Sequence, residues 1–121
     1  MDEQRHGAAW PSEHDGVLAA PGNHKVIFEN EQVRVLETTI RSGETAPLHD
    51  HLLPTLMYVL SGSHFHRRGP DGQTMLDTRA SGPDWQIPKV LWAASTPLHT
   101  LENTGEDDLV VIGVELKSTA T

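Results

Sequence analysis

The stretch that decides the fold is GETAPLHDHLLPTLMYVLSG, residues 43–62, which holds two histidines one residue apart between two glycines. On a β-strand, residues two apart point to the same face, and their side chains lie about 7 Å apart along the strand. The imidazoles of His49 and His51 can therefore converge on one metal ion, at about 2.1 Å from each ring nitrogen. Asp50 points to the opposite face, and we interpret it as a surface residue.

The chain has 121 residues and no cysteine. This length is typical of one domain with a single modest core. The absence of cysteine excludes a disulfide framework, a thiolate metal site and a cysteine nucleophile, so a metal would need nitrogen and oxygen ligands. It also agrees with a cytoplasmic location, which we expect.

The formal net charge is -8, which disfavours binding to the phosphate backbone of nucleic acids. Arg67 and Arg68 form the only adjacent basic pair, and we interpret them as a solvated strand end. The N-terminus lacks the apolar segment of a signal peptide, and the longest apolar run, LVVIGV (109–114), is too short to span a bilayer. We therefore expect a soluble protein with no nucleic-acid partner and no membrane partner.

The composition of the chain changes near residue 25. Residues 1–24 are polar and rich in glycine and proline, which predicts a flexible N-terminal arm. Trp10 is the exception, and an isolated tryptophan in such a segment often docks on another surface. Residues 25–121 contain short runs rich in Val, Ile, Leu and Thr, separated by clusters of turn residues. This pattern predicts a single all-β domain, a sandwich or barrel.

Six runs have the composition of strands: KVIFEN (25–30), QVRVLETTI (32–40), LMYVL (56–60), TMLDT (74–78), VLWAA (90–94) and DLVVIGVELK (108–117). The last run has an apolar period of two, with Val110, Ile112, Val114 and Leu116 on one face. GPDGQ (69–73) predicts a hairpin with its turn at Asp71-Gly72. NTGEDD (103–108) predicts a second hairpin that leads into the last strand.

Six of the eight histidines lie in the strand region or, for His24, directly before it. His99, in TPLHTLENTGEDD (96–108), is the best candidate for a third ligand, because it shares a strand face with an apolar neighbour. His64 and His66 form a second His-x-His pair, which faces either the cavity or the outer surface beside the two arginines. His24 precedes the first predicted strand, and we interpret it as a structural residue.

The opening stretch resembles the first motif of the cupins. Its spacing matches at Gly43, His49, His51 and Gly62, while Thr55 stands where that family usually has glutamate. A second, looser match comprises Gly82, Pro88, His99 and Asn103. The resemblance covers residues 25–117 and implies a small single-domain cupin, a double-stranded β-helix or jelly roll with its site in the barrel mouth.

Carried over by position, the resemblance implies that His49, His51 and His99 bind a metal. The family's fourth ligand falls at Thr55, whose hydroxyl is a poor metal ligand. The fourth ligand, or a residue supporting the site, is then Thr55, His64, His66 or a water. Three neutral histidines leave a divalent metal with its full charge, which favours small anionic substrates that chelate the metal. Cupins of this type resemble dioxygenases, which implies Fe²⁺, with Mn²⁺, Zn²⁺ and Ni²⁺ as alternatives.

Three functions remain open from the sequence. The first is a non-heme Fe(II)-type dioxygenase, a metal-dependent oxidoreductase, acting on a small chelating anion. The second is a non-catalytic module that binds a small ligand for sensing or storage. The third is a sugar isomerase or epimerase, with His49 or His51 as the base and Tyr58 as the partner acid. Whether the protein is an enzyme is undecided at this stage.

Cupins of this size resemble homodimers, and exposed sheet edges invite pairing. We therefore expect a homodimer in which the arm that carries Trp10 crosses to the partner subunit. Its other partner is a small-molecule substrate or ligand.

Overall fold

A computed structural model describes residues 10–117 of the chain. Within this range β-strands are the main regular structure, which confirms the predicted all-β fold class. The strands are β1 His24–Glu29, β2 Val33–Ile40, β3 Thr45–His51, β4 Thr55–Ser61, β5 Phe65–Arg68, β6 Thr74–Asp77, β7 Val90–Ala93, β8 Thr96–Asn103 and β9 Leu109–Leu116. One short helix, α1 Gly16–Ala19, precedes them, and a 3-10 helix, Thr78–Ser81, follows β6.

The strands form two antiparallel sheets that face each other. The five-stranded sheet has the order β1-β2-β9-β4-β7, and the four-stranded sheet has the order β3-β8-β5-β6. Apart from the pairs β1–β2 and β5–β6, successive strands alternate between the layers, as in a jelly roll. The buried core between the layers consists of Ile40, Ala46, Phe65, Leu101 and Leu109. Several of these side chains also line the cavity that contains the histidines.

The apolar period of β9 faces outward rather than toward the core. The inner face of this strand carries Leu109, Val111, Gly113 and Glu115, which line the cavity. The outer face carries Val110, Ile112, Val114 and Leu116. On this same face Leu56 pairs with Trp92 on β7, and their exposed fractions are 46% and 58%. The five-stranded sheet thus presents an apolar outer surface.

The two predicted hairpins have different outcomes. GPDGQ (69–73) does join β5 to β6, which pair antiparallel. Gly72 has φ of 83°, in the left-handed region that glycine tolerates best. NTGEDD (103–108) is not a hairpin connection, because β8 and β9 belong to different sheets. The segment instead carries the chain from one layer to the other.

The N-terminal strap, residues 10–16, packs along the edge of β3. The Asp50 amide donates to the His14 carbonyl at 2.7 Å, and the Ser12 hydroxyl donates to the Asp50 carboxylate at 2.9 Å. Asp50 is only 7% exposed, so its interpretation as a surface residue is wrong. The strap covers the side of β3 that carries Asp50, which was expected to face solvent.

Trp10 docks on its own chain, where its ring centroid lies 4.7 Å from the guanidinium carbon of Arg34. Residues 10–24 of the predicted arm are therefore packed against the barrel. Residues 1–9 lie outside the described part of the chain. The division into an arm (1–24) and a barrel domain (25–121) stays a prediction.

Candidate metal centre

Four histidines line one cavity between the two sheets. His49 and His51 lie on β3, and His99 lies directly opposite His49 on β8. His24 is the first residue of β1. The cavity has a volume of about 430 Å³, and most of its walls are apolar. Strand alternation explains the placement, because residues two apart on β3 point to the same side of the sheet.

Three of the four rings approach one another closely enough to share an ion. One ring nitrogen from each of His24, His49 and His51 lies within 4.8 Å of the others. A shared ion at about 2.1 Å from each nitrogen needs separations of about 3–4 Å, so small ring rotations suffice. His99 borders this group, with its ring centroid 4.4 Å from that of His49 and 5.9 Å from that of His51. His24, His49 and His51 could therefore hold a metal ion.

Backbone carbonyls orient three of the rings. His49, His99 and His24 each bond a carbonyl oxygen through Nδ1; the acceptors are Pro47, Pro97 and Ala20, at 2.6, 2.6 and 3.0 Å. A carbonyl can only accept a hydrogen bond, so Nδ1 carries the proton and Nε2 keeps its lone pair. Nε2 of His24 is buried and has no hydrogen-bond partner among residues 10–117. An orphaned lone pair of this kind is what a metal ion would satisfy.

The same three rings are held in the neutral form. Burial lowers the pKa of His24 to about 3, of His49 to about 4 and of His99 to about 3, and neighbouring imidazoles contribute to each decrease. Burial has this effect because it disfavours the charged imidazolium. Metal binding requires neutral imidazole, so these rings need not lose a proton first at neutral pH.

The fourth ring, His51, faces a carboxylate. Its Nδ1 lies 3.8 Å from Oε2 of Glu115, which is buried and accepts no hydrogen bond from residues 10–117. Glu115 is directly opposite Thr55 in the pairing of β4 with β9. The hydroxyl of Thr55 donates to the carbonyl of Leu53 at 3.0 Å. The carboxylate beside the site therefore comes from β9, next to the position where the cupin motif expects it on β4.

A buried ion-pair network holds Glu115 in place. Nε of Arg34 donates to Glu115 at 2.5 Å, and a terminal nitrogen of Arg34 donates to Asp15 at 2.9 and 3.0 Å. All three residues are at most 5% exposed. Burial opposes ionisation of Glu115, but His51 and Arg34 outweigh this effect and lower the pKa of Glu115 below its usual value. Glu115 is therefore a fixed negative charge beside His51.

The first residue of α1 closes the site from the side of the strap. A Cβ atom at Gly16 would lie 2.7 Å from Cε1 of His51 and 3.2 Å from Nε2 of His24. Separations this short require the neighbouring ring to move, so a side chain at this position would disturb both histidines. Asp15, the residue before it, caps the helix by accepting from the Val17 amide at 3.1 Å. The strap is thus in direct contact with the histidine cluster.

The other predicted site residues lie elsewhere. Nδ1 of His64 bonds the Thr78 hydroxyl at 2.9 Å, and the His64 ring lines a separate groove beside Trp85. Nε2 of His66 bonds the Thr74 hydroxyl at 2.8 Å. Neither residue lines the histidine cavity. Which groups bind the ion stays a prediction, and the structure adds His24 to the proposed set.

Sequence reasoning missed three residues that line the cavity. His24 was interpreted as a structural residue from its position just before the first predicted strand. Glu115 was overlooked, although a charge within an otherwise apolar last strand was a usable signal. Arg67 is not part of a solvated strand end, because it points into the cavity. Only Arg68 fits that description, with Glu102 as its ion-pair partner at 2.9 Å.

Solved structures share this arrangement of sheets. A cupin domain from Bordetella pertussis Tohama I superposes with a TM-score of 0.61, at 18% identity, and the match covers 78% of this chain and 92% of that one. The chain has the cupin fold. The predicted resemblance to cupins is thus confirmed as a likeness of fold. No protein-family model and no curated protein sequence matches the chain.

Two further solved structures show how varied the structurally similar proteins are. An RmlC-like cupin family protein from Methanocaldococcus jannaschii has a TM-score of 0.54 at 11% identity, covering 96% of this chain and 92% of that one. The polyketide cyclase RemF from Streptomyces resistomycificus has a TM-score of 0.51 at 14% identity, covering 81% of this chain and 66% of that one. At identities this low, the structural similarity shows a shared fold and does not show a shared function. Among residues 10–117, no helix is long and apolar enough to cross a membrane.

Proposed function

We propose that this cupin-fold protein is a metal-dependent dioxygenase that acts on a small, chelating organic anion. The observation that supports the proposal is the convergence of imidazoles in an open apolar cavity, where His24 and His49 are neutral and bond backbone carbonyls through Nδ1. His49, His51 and His99 remain the proposed ligands, and His24 is added as a fourth. Imidazole ligands suit iron, zinc, copper and nickel. Fe²⁺ is the proposed metal, with Mn²⁺, Zn²⁺ and Ni²⁺ as alternatives.

A bound metal would act as a Lewis acid that orients and polarises an oxygen of the substrate. The protein's own contribution is to fix the rings and exclude water. Backbone carbonyls hold three rings, and Glu115 is placed to accept the Nδ1 proton of His51, which would leave Nε2 of that ring facing the cavity. The apolar walls lower the local dielectric, so charge interactions inside the cavity are strong.

Oxygen consumption tests the reaction class. Iron-loaded protein should consume O₂ with at least one member of a panel of small diketones, thiols and phenolic acids. The His49→Ala variant, treated in the same way, should show only background consumption because it loses a proposed ligand. Stoichiometric iron without oxygen uptake across the panel would contradict the dioxygenase proposal.

A non-catalytic ligand-binding module is the second candidate. Among the described residues, Glu115 is the one carboxylate that lines the cavity, and Arg34 holds it in an ion pair. Tyr58, the acid required by the isomerase alternative, is on the outer face and 47% exposed. No free acid–base pair is therefore present in the described part of the cavity. Ligand-induced thermal shifts without turnover would support this second candidate.

We also propose that the protein is a cytoplasmic homodimer that pairs through the outer face of its five-stranded sheet. Leu56, Tyr58, Val90 and Trp92 are between 46% and 58% exposed on adjacent strands. Exposed apolar surfaces of this kind mark interaction sites, and a second copy supplies a matching apolar face. Trp92→Glu should shift the sedimentation equilibrium toward monomer, whereas Leu18→Glu, on exposed α1, should not. A monomeric wild-type protein would contradict the proposal.

A further inference from the structure

We infer that Arg67 anchors a carboxylate or comparable anionic group of the ligand, so that the cavity takes an organic acid with an apolar body. The inference rests on the proposed function, which supplies the metal. It deepens that function by naming the substrate class. It is carried by the position of Arg67 and by its lack of an ion-pair or hydrogen-bond partner among residues 10–117.

Strand alternation turns Arg67 into the cavity. Phe65 and Arg67 of β5 both line it, while the intervening His66 faces the other side. Arg67 is opposite Leu101 in the pairing with β8. His99 is two residues from Leu101 on the same strand face, so its side chain is a diagonal neighbour of Arg67. The charge of Arg67 accordingly adds to the effect of burial in lowering the pKa of His99.

Arg67 lacks a partner for its charge within residues 10–117. Its Nε atom is buried without a hydrogen bond, and its guanidinium carbon lies 5.6 Å from the Phe65 ring centroid. Burial lowers the pKa of Arg67 below the usual value for arginine. By contrast, Arg34 and Arg68 both form ion pairs with carboxylates. A half-buried, unpaired guanidinium is costly, and a bound anion would remove that cost.

The guanidinium and the cavity together define the ligand. A guanidinium presents two parallel N–H donors that match the two oxygens of a carboxylate. A volume of about 430 Å³ lies in the range of small-molecule sites. The apolar walls of the cavity include Met57, Phe65, Leu91, Leu101 and Val111. Phe65 and Leu101 are next to Arg67. The matching ligand has an acid group at Arg67 and an apolar body against these walls, which leaves the histidines for a second polar group.

Benzoate and benzamide are suitable probes, because they share a shape and differ in charge. Their binding is measured by calorimetry on metal-free protein and on protein loaded with Zn²⁺, which has no redox chemistry. Arg67→Met removes the charge, and Arg67→Lys keeps the charge without the two parallel N–H donors. Arg68→Met is the matched control. Zn²⁺ uptake by each protein is measured separately.

We expect benzoate to bind wild-type protein more tightly than benzamide. Arg67→Met should weaken benzoate by about tenfold or more, the loss typical of a hydrogen bond to a charged group. Arg67→Lys should be intermediate, Arg68→Met should match the wild type, and benzamide should bind all variants alike. Unchanged benzamide binding by Arg67→Met also shows that the variant is folded. Equal weakening by Arg67→Met and Arg68→Met, or no preference for benzoate, would overturn the inference.

The outcomes separate this inference from the proposed function. If the protein takes up no metal but metal-free protein binds benzoate through Arg67, the proposed metal function fails and the anion anchor stands. If metal binds stoichiometrically and benzoate binding is indifferent to Arg67, the anchor fails and the metal site stands.

Discussion

Replacing His49 with alanine is expected to weaken metal binding by more than about 100-fold. Loss of a residue that merely supports a ligand costs about 10–100-fold in metal affinity, and His49 is proposed as a ligand. His49 lies close to all three other cavity histidines, with ring centroids 4.4–4.9 Å away. Competitive titration of Co²⁺ or Zn²⁺ against a chromogenic chelator measures the affinity directly.

His66→Ala is the matched control for this substitution. It also removes one imidazole, but His66 bonds Thr74 and Arg68 and does not line the cavity. We expect wild-type affinity from His66→Ala, and a large loss from His24→Ala comparable to that from His49→Ala. If His24→Ala bound metal as tightly as the wild type, the assignment of His24 as a ligand would be wrong.

Replacing Arg34 with methionine is expected to lower the free energy of unfolding by about 3–5 kcal/mol. Removal of one member of a buried ion pair leaves an uncompensated charge, and losses of this size are typical. Here both Asp15 and Glu115 would lose their partner, and each is at most 1% exposed. The Trp10 ring would also lose the nearer of the two cations that lie over it, Arg34 and Lys117. Urea denaturation of metal-free protein, followed by far-UV circular dichroism, measures the change.

Arg68→Met is the control for the network. Arg68 and Glu102 also form an ion pair at 2.9 Å, but their side chains are 35% and 36% exposed. Solvent screens pairs of this kind, so we expect a loss of about 0–1 kcal/mol. A similar loss from both substitutions would mean that the buried network does not stabilise the strap. Adding Glu115→Gln to Arg34→Met should recover part of the stability, because it removes one of the two stranded charges.

Much of the fold was predictable because its signals are local. Short runs rich in β-branched residues between turn clusters predicted the strands, and the Asp71-Gly72 turn predicted the β5–β6 hairpin. His49 and His51 were placed on a common face by the period of a strand alone. His99 was paired with them through the motif spacing, and the structure puts it directly opposite His49.

The rest depended on which face of each strand turns inward, which periodicity alone does not decide. On β9 the apolar period marks the outer face, and the cavity face carries Glu115. The same ambiguity concealed Arg67, one residue from its surface neighbour Arg68. His24 was missed for a different reason. Its ring lies beside the pair on β3 through a long-range contact that no local pattern contains. Beside Thr55, the neighbouring strand places the carboxylate of Glu115 against His51.

Metal content tests the central claim most directly. The protein is purified without a metal-affinity column, stripped with chelator, incubated separately with Fe²⁺, Mn²⁺, Zn²⁺, Ni²⁺ and Cu²⁺, desalted, and analysed by inductively coupled plasma mass spectrometry. We predict about one ion per chain for at least one metal, since neutral imidazoles are already in place, and a loss of that ion in His49→Ala but not in His66→Ala. Failure of the wild type to retain any of the five metals would contradict the account.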